Sequence, residues 1–107
     1  MGGYVYLIGE IGNEGNYKIG STRNKDIQKR LKQLQTGNSN ELFLRGYFKT
    51  DKPFILEKMM HNKFYSKNVL NEWYELSDDE VNSFVEECER CQEIMDSLQD
   101  NPFFNKK

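Results

Sequence analysis

Two short apolar runs separated by a polar loop open the chain and predict a β-hairpin. Residues 4–8 form a run of aromatic and aliphatic side chains, most of the aliphatic ones β-branched, and a second run begins at Tyr17. The intervening residues 10–16 contain the glycines and asparagines that hairpin loops require. A polar link from residue 21 to residue 24 is expected after the second strand.

The hydrophobic period then changes to that of helices. Asp26 can cap a helix that ends near Gln35. Its apolar face comprises Ile27, Leu31 and Leu34. Residues 42–49 alternate as a strand, and a second helix begins near Pro53. The core stripe of that helix comprises Leu56, Met59, Met60 and Phe64.

The C-terminal third predicts one more strand and one long helix. Residues 71–76 have strand composition, with Trp73 closing the core. A capping box at residues 77–80 opens a helix that ends near Leu98. Its apolar stripe comprises Val81, Phe84, Cys88, Cys91, Met95 and Leu98. This stripe packs within the domain or, as the alternative, forms a homodimer or protein-partner interface.

The elements follow the order β-β-α-β-α-β-α. This order predicts an α+β fold, with a small mixed or antiparallel β-sheet flanked by helices and an amphipathic C-terminal helix. A chain of 107 residues can form one hydrophobic core. We therefore expect a single domain over residues 1–98 and a tail over residues 99–107.

Composition excludes several classes of protein. Hydrophobic residues make up 36% of the chain, enough for a packed core, and no apolar run reaches membrane-spanning length. The N-terminus lacks the features of a secretion signal, so an intracellular protein with no membrane partner is expected. Cys88 and Cys91 lie in a helical pattern without a second pair of ligands. This favours two reduced thiols over a zinc or redox site.

Charge is distributed unevenly along the chain. Residues 1–67 carry twelve Lys and Arg against six Asp and Glu, whereas residues 68–107 carry three against eleven. The basic part is suited to a polyanion. The candidate nucleic-acid contacts are Arg23, Lys25, Lys29, Lys32 and Lys49. An ordinary solvated surface would carry the same charges.

Five short motifs occur together in an order that is typical of a known family. They are YVY from Tyr4, YKIGST from Tyr17, Arg30-Leu31 in the first helix, LEKMMH from Leu56 and EWY from Glu72. With this set the chain resembles the GIY-YIG nuclease superfamily, most closely its T5orf172/MUG113-like branch. The resemblance covers about residues 3–76. Each motif is weakly specific alone, and the ordered set is strongly specific.

The resemblance implies a phosphodiesterase that acts on DNA with one divalent cation, Mg²⁺ or Mn²⁺. Tyr6 stands at the tyrosine that activates or orients the attacking water. Arg30 stands at the arginine that contacts the scissile phosphate, and Glu57 at the glutamate that holds the metal. Asn68 or Asn71 stands near an asparagine found in many members.

Three positions depart from the pattern of the superfamily. Tyr4 replaces the glycine of the first motif, and Leu34 stands where some relatives have a polar or aromatic catalytic helper. Lys18 replaces the tyrosine of the second motif, as is common in this branch, and is a candidate active-site cation. His61, four residues after Glu57, lies on the same helix face and could act as a catalytic helper. Tyr17 is a packing or supporting residue.

Elementary chemistry supports this assignment of roles. Phosphodiester hydrolysis requires an activated water, neutralisation of charge on the phosphoryl oxygens and relief of charge on the leaving oxygen. A phenol titrates at about 10, so Tyr6 needs nearby cations, for which Lys18 and Arg30 are candidates. One carboxylate with waters and phosphate oxygens suits Mg²⁺. The arrangement requires Tyr6 and Lys18 on one sheet face, for example directly opposite each other.

Three functions from different classes are consistent with these sequence features. The first is a small metal-dependent DNA endonuclease with low intrinsic sequence specificity, because no additional DNA-reading module is visible. The second is a catalytically silent module that keeps the nuclease fold for binding nucleic acid or protein. A third is a scaffold that oligomerises through the C-terminal stripe. The presence of Tyr6, Arg30 and Glu57 favours the first.

Overall fold

A five-stranded antiparallel sheet forms the centre of the protein, for which a computed structural model describes residues 2–99. Its strands are β1 (Gly3–Glu10), β2 (Asn16–Thr22), β3 (Leu42–Thr50), β4 (Asn68–Leu70) and β5 (Trp73–Glu75). They lie in the order β3-β1-β2-β5-β4, and each neighbouring pair is antiparallel. Together with the helices, this sheet confirms the predicted α+β class.

Apart from one 3₁₀ turn at Tyr65–Lys67, four α-helices accompany the sheet within the described residues. They are α1 (Ile27–Thr36), α2 (Pro53–Lys63), α3 (Asp78–Asn82) and α4 (Phe84–Gln99). The Asp26 carboxylate caps α1 by accepting hydrogen bonds from the backbone N–H groups of Gln28 and Lys29. Pro53 opens α2, where its missing N–H would have no helical partner in any case. Both helices begin where the sequence predicts.

Alternate residues of β1 point to opposite faces of the sheet, and helices cover both faces. On one face α1 packs over a cluster formed by Tyr6, Ile8 and Leu42. On the other face α2 and α4 pack over the main core. Members of that core include Val5, Leu7, Ile19, Leu56, Met60, Phe84 and Cys88.

The register between β1 and β2 places Tyr6 opposite Gly20 and Ile8 opposite Lys18. The ring of Tyr6 lies over Gly20, since a Cβ at that residue would be 2.7 Å from the ring carbons. The close approach of the ring therefore requires glycine at this position. The strand β2 continues through Thr22, so the polar link predicted from residue 21 begins two residues later.

Two predictions for the C-terminal third were incomplete. Residues 68–75 form a β4–β5 hairpin where a single strand over residues 71–76 was predicted. Asn71 adopts a positive φ of 53° in the turn between these strands. The predicted continuous helix is divided at Ser83, whose hydroxyl donates to the Glu80 carbonyl at 3.3 Å. Local bonds of this kind compete with regular helix geometry.

The apolar stripe of the C-terminal helices packs within the domain at five of its six positions. Leu98 is the exception, with 42% of its surface exposed. Cys88 and Cys91 are free, and both are buried as the apolar stripe predicts. Burial raises the pKa of the Cys88 thiol to about 12. A homodimer or protein partner at this helix stays a prediction.

No helix within residues 2–99 has the length and apolar character needed to cross a bilayer. The single domain over residues 1–98 and the intracellular location stay predictions. Residues 100–107 of the predicted tail lie outside the described residues.

Candidate functional site

The end of β2 beyond its pairing with β5 provides one wall of the candidate site. The two strands pair as far as Lys18 and Trp73, and the backbone N–H of Ile19 donates to the Glu72 carbonyl at 3.1 Å. From α2, His61 reaches the same strand, with its Nε2 2.8 Å from the Ile19 carbonyl oxygen. The polar edge of α2 therefore lies against the second strand of the hairpin.

Tyr6 lies in the middle of the sheet, with 1% of its surface exposed. Burial raises the pKa of its phenol above the ordinary value, and the charges of Glu72 and Glu57 raise it further. The Arg30 guanidinium lies beside the hydroxyl and opposes this rise, because it stabilises the phenolate. Burial is the larger effect, so Tyr6 is a neutral phenol at physiological pH.

Arg30 reaches the site from α1, at the edge of the helix face that packs on the sheet. Its Nε is buried and has no hydrogen-bond partner among the described residues, while its Nη1 is 3.4 Å from the Gln33 side-chain oxygen. Leaving a buried charged donor unpaired is costly. A phosphate oxygen is the kind of acceptor that an arginine in this position suits.

Glu57 projects from α2 with a side chain that is 16% exposed. The Ser21 hydroxyl donates a hydrogen bond to Oε1, and His61 Nε2 lies 3.4 Å from Oε2. Burial raises the pKa of the Glu57 carboxyl, and the charge of Glu72 adds to the rise. The Ser21 hydrogen bond and His61 lower it. This half-buried carboxylate, with a second carboxylate nearby, would be stabilised by a cation.

Lys18 shares a sheet face with Tyr6, as the sequence-based arrangement requires, but the two residues are not opposite each other. Lys18 pairs with Ile8, two residues further along β1. Its ammonium group is 3.0 Å from a Glu72 carboxylate oxygen and 5.8 Å from the centre of the Trp73 ring. The cation beside the Tyr6 phenol is therefore Arg30, and Glu72 neutralises Lys18.

The predicted supporting residues lie apart from this cluster. Tyr17 packs against the main core, on the opposite face of the sheet from Tyr6. The Asn68 amide donates to the backbone carbonyls of Asn71 at 2.8 Å and Trp73 at 3.1 Å. Asn68 and Asn71 therefore stabilise the β4–β5 turn.

The predicted nucleic-acid contacts lie on exposed surface. Lys29 and Lys32 are on the solvent side of α1. Arg23 is also exposed, with its guanidinium carbon 4.9 Å from the centre of the Phe54 ring. A surface position permits these cations to contact a polyanion but does not by itself indicate one.

Residues 3–89 match the sequence model of the T5orf172 domain. The match covers more than half of the chain and extends over every residue of the cluster, from Tyr6 to Glu72. The chain belongs to the T5orf172 domain family. This family is nuclease-related. No curated protein and no solved structure matches the chain significantly.

Sequence reasoning did not assign site roles to two residues of this T5orf172 domain. The Ser21 hydroxyl donates a hydrogen bond to Glu57. Glu72 forms an ion pair with Lys18, and its charge raises the pKa of both Tyr6 and Glu57. Both residues belong to motifs that carried the family resemblance, YKIGST and EWY. Their polar side chains within these motifs were the signal that could have identified them.

The acidic residues of the T5orf172 domain restrict the kind of metal site that it can form. Within residues 2–99, no group of three or more His, Cys, Asp or Glu side chains is arranged to hold a metal ion. Glu57 provides carboxylate oxygens at this site, with Glu72 near it and His61 Nε2 3.4 Å from Glu57 Oε2. Carboxylate oxygens are the ligands that a hydrated Mg²⁺ ion takes in proteins.

Proposed function

We propose that this T5orf172 domain is a GIY-YIG-like endonuclease that hydrolyses DNA phosphodiester bonds with one divalent cation, Mg²⁺ or Mn²⁺. The observation that carries the proposal is the meeting of three groups from three elements. The Tyr6 phenol comes from β1, the Arg30 guanidinium from α1 and the Glu57 carboxylate from α2. Arg30 lies beside the Tyr6 hydroxyl, and the charges of Arg30 and Glu57 both act on the pKa of Tyr6, which supports a shared site.

In the proposed mechanism, Arg30 binds the scissile phosphate. Its buried Nε has no acceptor among the described residues, so a phosphate oxygen would satisfy it. The same guanidinium offsets the negative charge that grows on the phosphoryl oxygens during attack.

Tyr6 orients the attacking water in this mechanism. Its phenol is neutral at physiological pH, because burial raises its pKa, so it can donate one hydrogen bond and accept another. A phosphate bound at Arg30 would lie beside the Tyr6 hydroxyl, within reach of a water held there. A transient phenolate would be stabilised by Arg30, which lies beside the hydroxyl, whereas Lys18 is paired with Glu72.

Glu57 would hold the divalent cation. When bound, that cation would offset the negative charge on the phosphate and on the leaving oxygen. Each Glu57 oxygen has a protein group within contact distance, Ser21 at one and His61 at the other, and each keeps a second lone pair. His61 is a positioning residue here, because its Nε2 contacts both Glu57 and the Ile19 carbonyl.

A catalytically silent binding module is the second candidate. One observation favours it: Ser21 and His61 already engage the Glu57 carboxylate, so its charge has partners without a metal. The same site residues would then bind a phosphate without cleaving it. The two candidates differ in whether DNA is cut.

The test incubates the purified protein with supercoiled, branched and single-stranded DNA in Mg²⁺ or Mn²⁺. Cleavage that leaves 5′-phosphate ends is expected, with Tyr6→Phe and Glu57→Ala each reducing the rate by about 100-fold or more. Two matched controls, Tyr65→Phe and Glu86→Gln, change exposed residues outside the site and should retain the wild-type rate.

Three results separate the candidates. Loss of cleavage in both site variants, with normal folding, supports the endonuclease. Cleavage that survives both substitutions would mean that the activity does not come from this site. Binding of DNA without cleavage of any substrate would favour the silent module.

A further inference from the structure

We propose that the exposed end of the sheet beside Tyr6 binds an unpaired nucleotide next to the scissile phosphate, with Tyr47 stacking on its base. This inference rests on the proposed function and specifies its substrate class as DNA with single-stranded character at the cleavage point. The relevant surface, called here the stacking platform, consists of Tyr4, Tyr47 and Lys49.

The platform begins one strand away from the candidate catalytic tyrosine. Tyr47 of β3 is the direct cross-strand partner of Tyr6. Directly opposed residues of antiparallel strands project from the same face, with Cβ atoms about 5 Å apart. A base on Tyr47 would therefore be next to a phosphate bound by Arg30 and Tyr6.

The Tyr47 ring is available for stacking and is held in place. Half of its surface, 50%, is exposed. The Tyr4 ring packs against it with centroids 5.7 Å apart and an interplanar angle of 75°. This edge-to-face pair restrains both rings. An exposed, restrained aromatic ring on an otherwise polar surface is the usual platform for a nucleic-acid base.

The charges around the platform are complementary to a sugar-phosphate backbone. A cavity of about 360 Å³ lies beside Tyr4 and is lined also by Gly2, Gly3, Arg23, Lys25 and Lys49. Every charged side chain that lines it is basic. Lys49 is the cross-strand partner of Tyr4, so cation and aromatic ring are adjacent. The packing of Arg23 on the Phe54 ring holds its guanidinium at this end of the sheet.

The geometry favours an unpaired base over a paired one. Bases within a duplex stack on their neighbours, so a fixed tyrosine ring on the protein surface cannot reach their faces. A single strand or an open junction presents a free base face together with flexible phosphates. Stacking on a tyrosine tolerates any base, which agrees with the low sequence specificity expected from the chain.

The test measures binding, so that it does not depend on cleavage. Fluorescence anisotropy of a labelled oligothymidylate and of a blunt duplex of equal length is recorded in EDTA, with Tyr6→Phe as the background. The single strand should bind more tightly than the duplex. Tyr47→Ala should weaken single-strand binding about 5- to 100-fold, whereas Tyr47→Phe should retain it because the ring remains. Lys49→Gln should reduce the dependence of log Kd on log salt concentration by about one unit.

A matched control is Tyr65→Ala, which removes a ring that is 78% exposed in the turn after α2. It should leave binding unchanged. Equal affinity for duplex and single strand, or wild-type binding by Tyr47→Ala, would overturn the inference. Selective single-strand binding by a wild-type protein that cuts no DNA would instead refute the nuclease proposal while retaining the platform.

Discussion

The Ser21 hydroxyl donates a hydrogen bond to the Glu57 carboxylate, and this bond joins β2 to α2 across 36 residues of sequence. It attaches the residue proposed to bind metal to the same hairpin that carries Tyr6. The bond favours the ionised carboxylate and opposes the pKa rise that burial causes. Ser21 therefore affects both the position and the charge of Glu57.

Replacing Ser21 by alanine should raise the pKa of Glu57 further. The variant removes a hydrogen bond to the charged form while burial and the Glu72 charge remain. NMR titration of the Glu57 side-chain carboxyl carbon would measure the shift. Ser21→Thr keeps the hydroxyl and should leave the pKa close to the wild-type value. An unchanged or lower pKa in Ser21→Ala would contradict the role assigned to this bond.

Replacing Arg30 by glutamine should raise the pKa of Tyr6. Arg30 lowers that pKa in the wild type, so its removal leaves burial and the two carboxylates unopposed. Ultraviolet absorbance of tyrosinate, measured as the difference from Tyr6→Phe, reports the titration. If the domain cleaves DNA, the rate should also fall about 100- to 1,000-fold. Arg90→Gln, at an exposed arginine of α4, should change neither quantity.

Replacing Glu72 by glutamine should have the opposite effect on the same titration. The Glu72 charge raises the pKa of Tyr6 and of Glu57, so both values should fall when it is removed. Loss of the 3.0 Å ion pair also frees Lys18, whose charge would act in the same direction. Glu75→Gln is the control, because that residue is nearby but exposed. A rise in the Tyr6 pKa in Glu72→Gln would show that the electrostatic assignment is wrong.

Helical periodicity was sufficient to place Arg30 and Glu57. Both residues border apolar stripes, and the structure brings them to the polar edges of helices that pack on opposite faces of one sheet. The charges of both residues act on the pKa of Tyr6, but no local pattern determines which helices contribute side chains to one site. The family resemblance supplied that information.

The sequence pattern does not determine the register between β1 and β2. The β1–β2 loop is longer than the two-residue turns that determine pairing, so Tyr6 could face Lys18 or Gly20 with equally good alternation. The Lys18–Glu72 ion pair could not be predicted either, because the β2–β5 pairing brings together residues that are far apart in sequence. The division of the last helix at Ser83, whose hydroxyl donates to the Glu80 carbonyl, lies within a sequence of continuous helical pattern.

Gly20→Ala tests whether the close packing of Tyr6 on β2 positions its hydroxyl. The added methyl group would lie 2.7 Å from the Tyr6 ring carbons, so the buried ring must move. Overpacking of this kind costs about 1–3 kcal/mol in the free energy of unfolding, which urea denaturation would measure.

The matched control for this substitution is Gly37→Ala. Its new methyl group would meet no atom closer than 4.0 Å, and Gly37 has an ordinary negative φ of −98° at the end of α1. It should have little effect on stability. The proposed mechanism also predicts that Gly20→Ala lowers DNA cleavage at temperatures where the variant remains fully folded, because displacement of Tyr6 separates its hydroxyl from Arg30. A folded Gly20→Ala protein with wild-type cleavage would mean that the position of the Tyr6 hydroxyl does not limit the reaction.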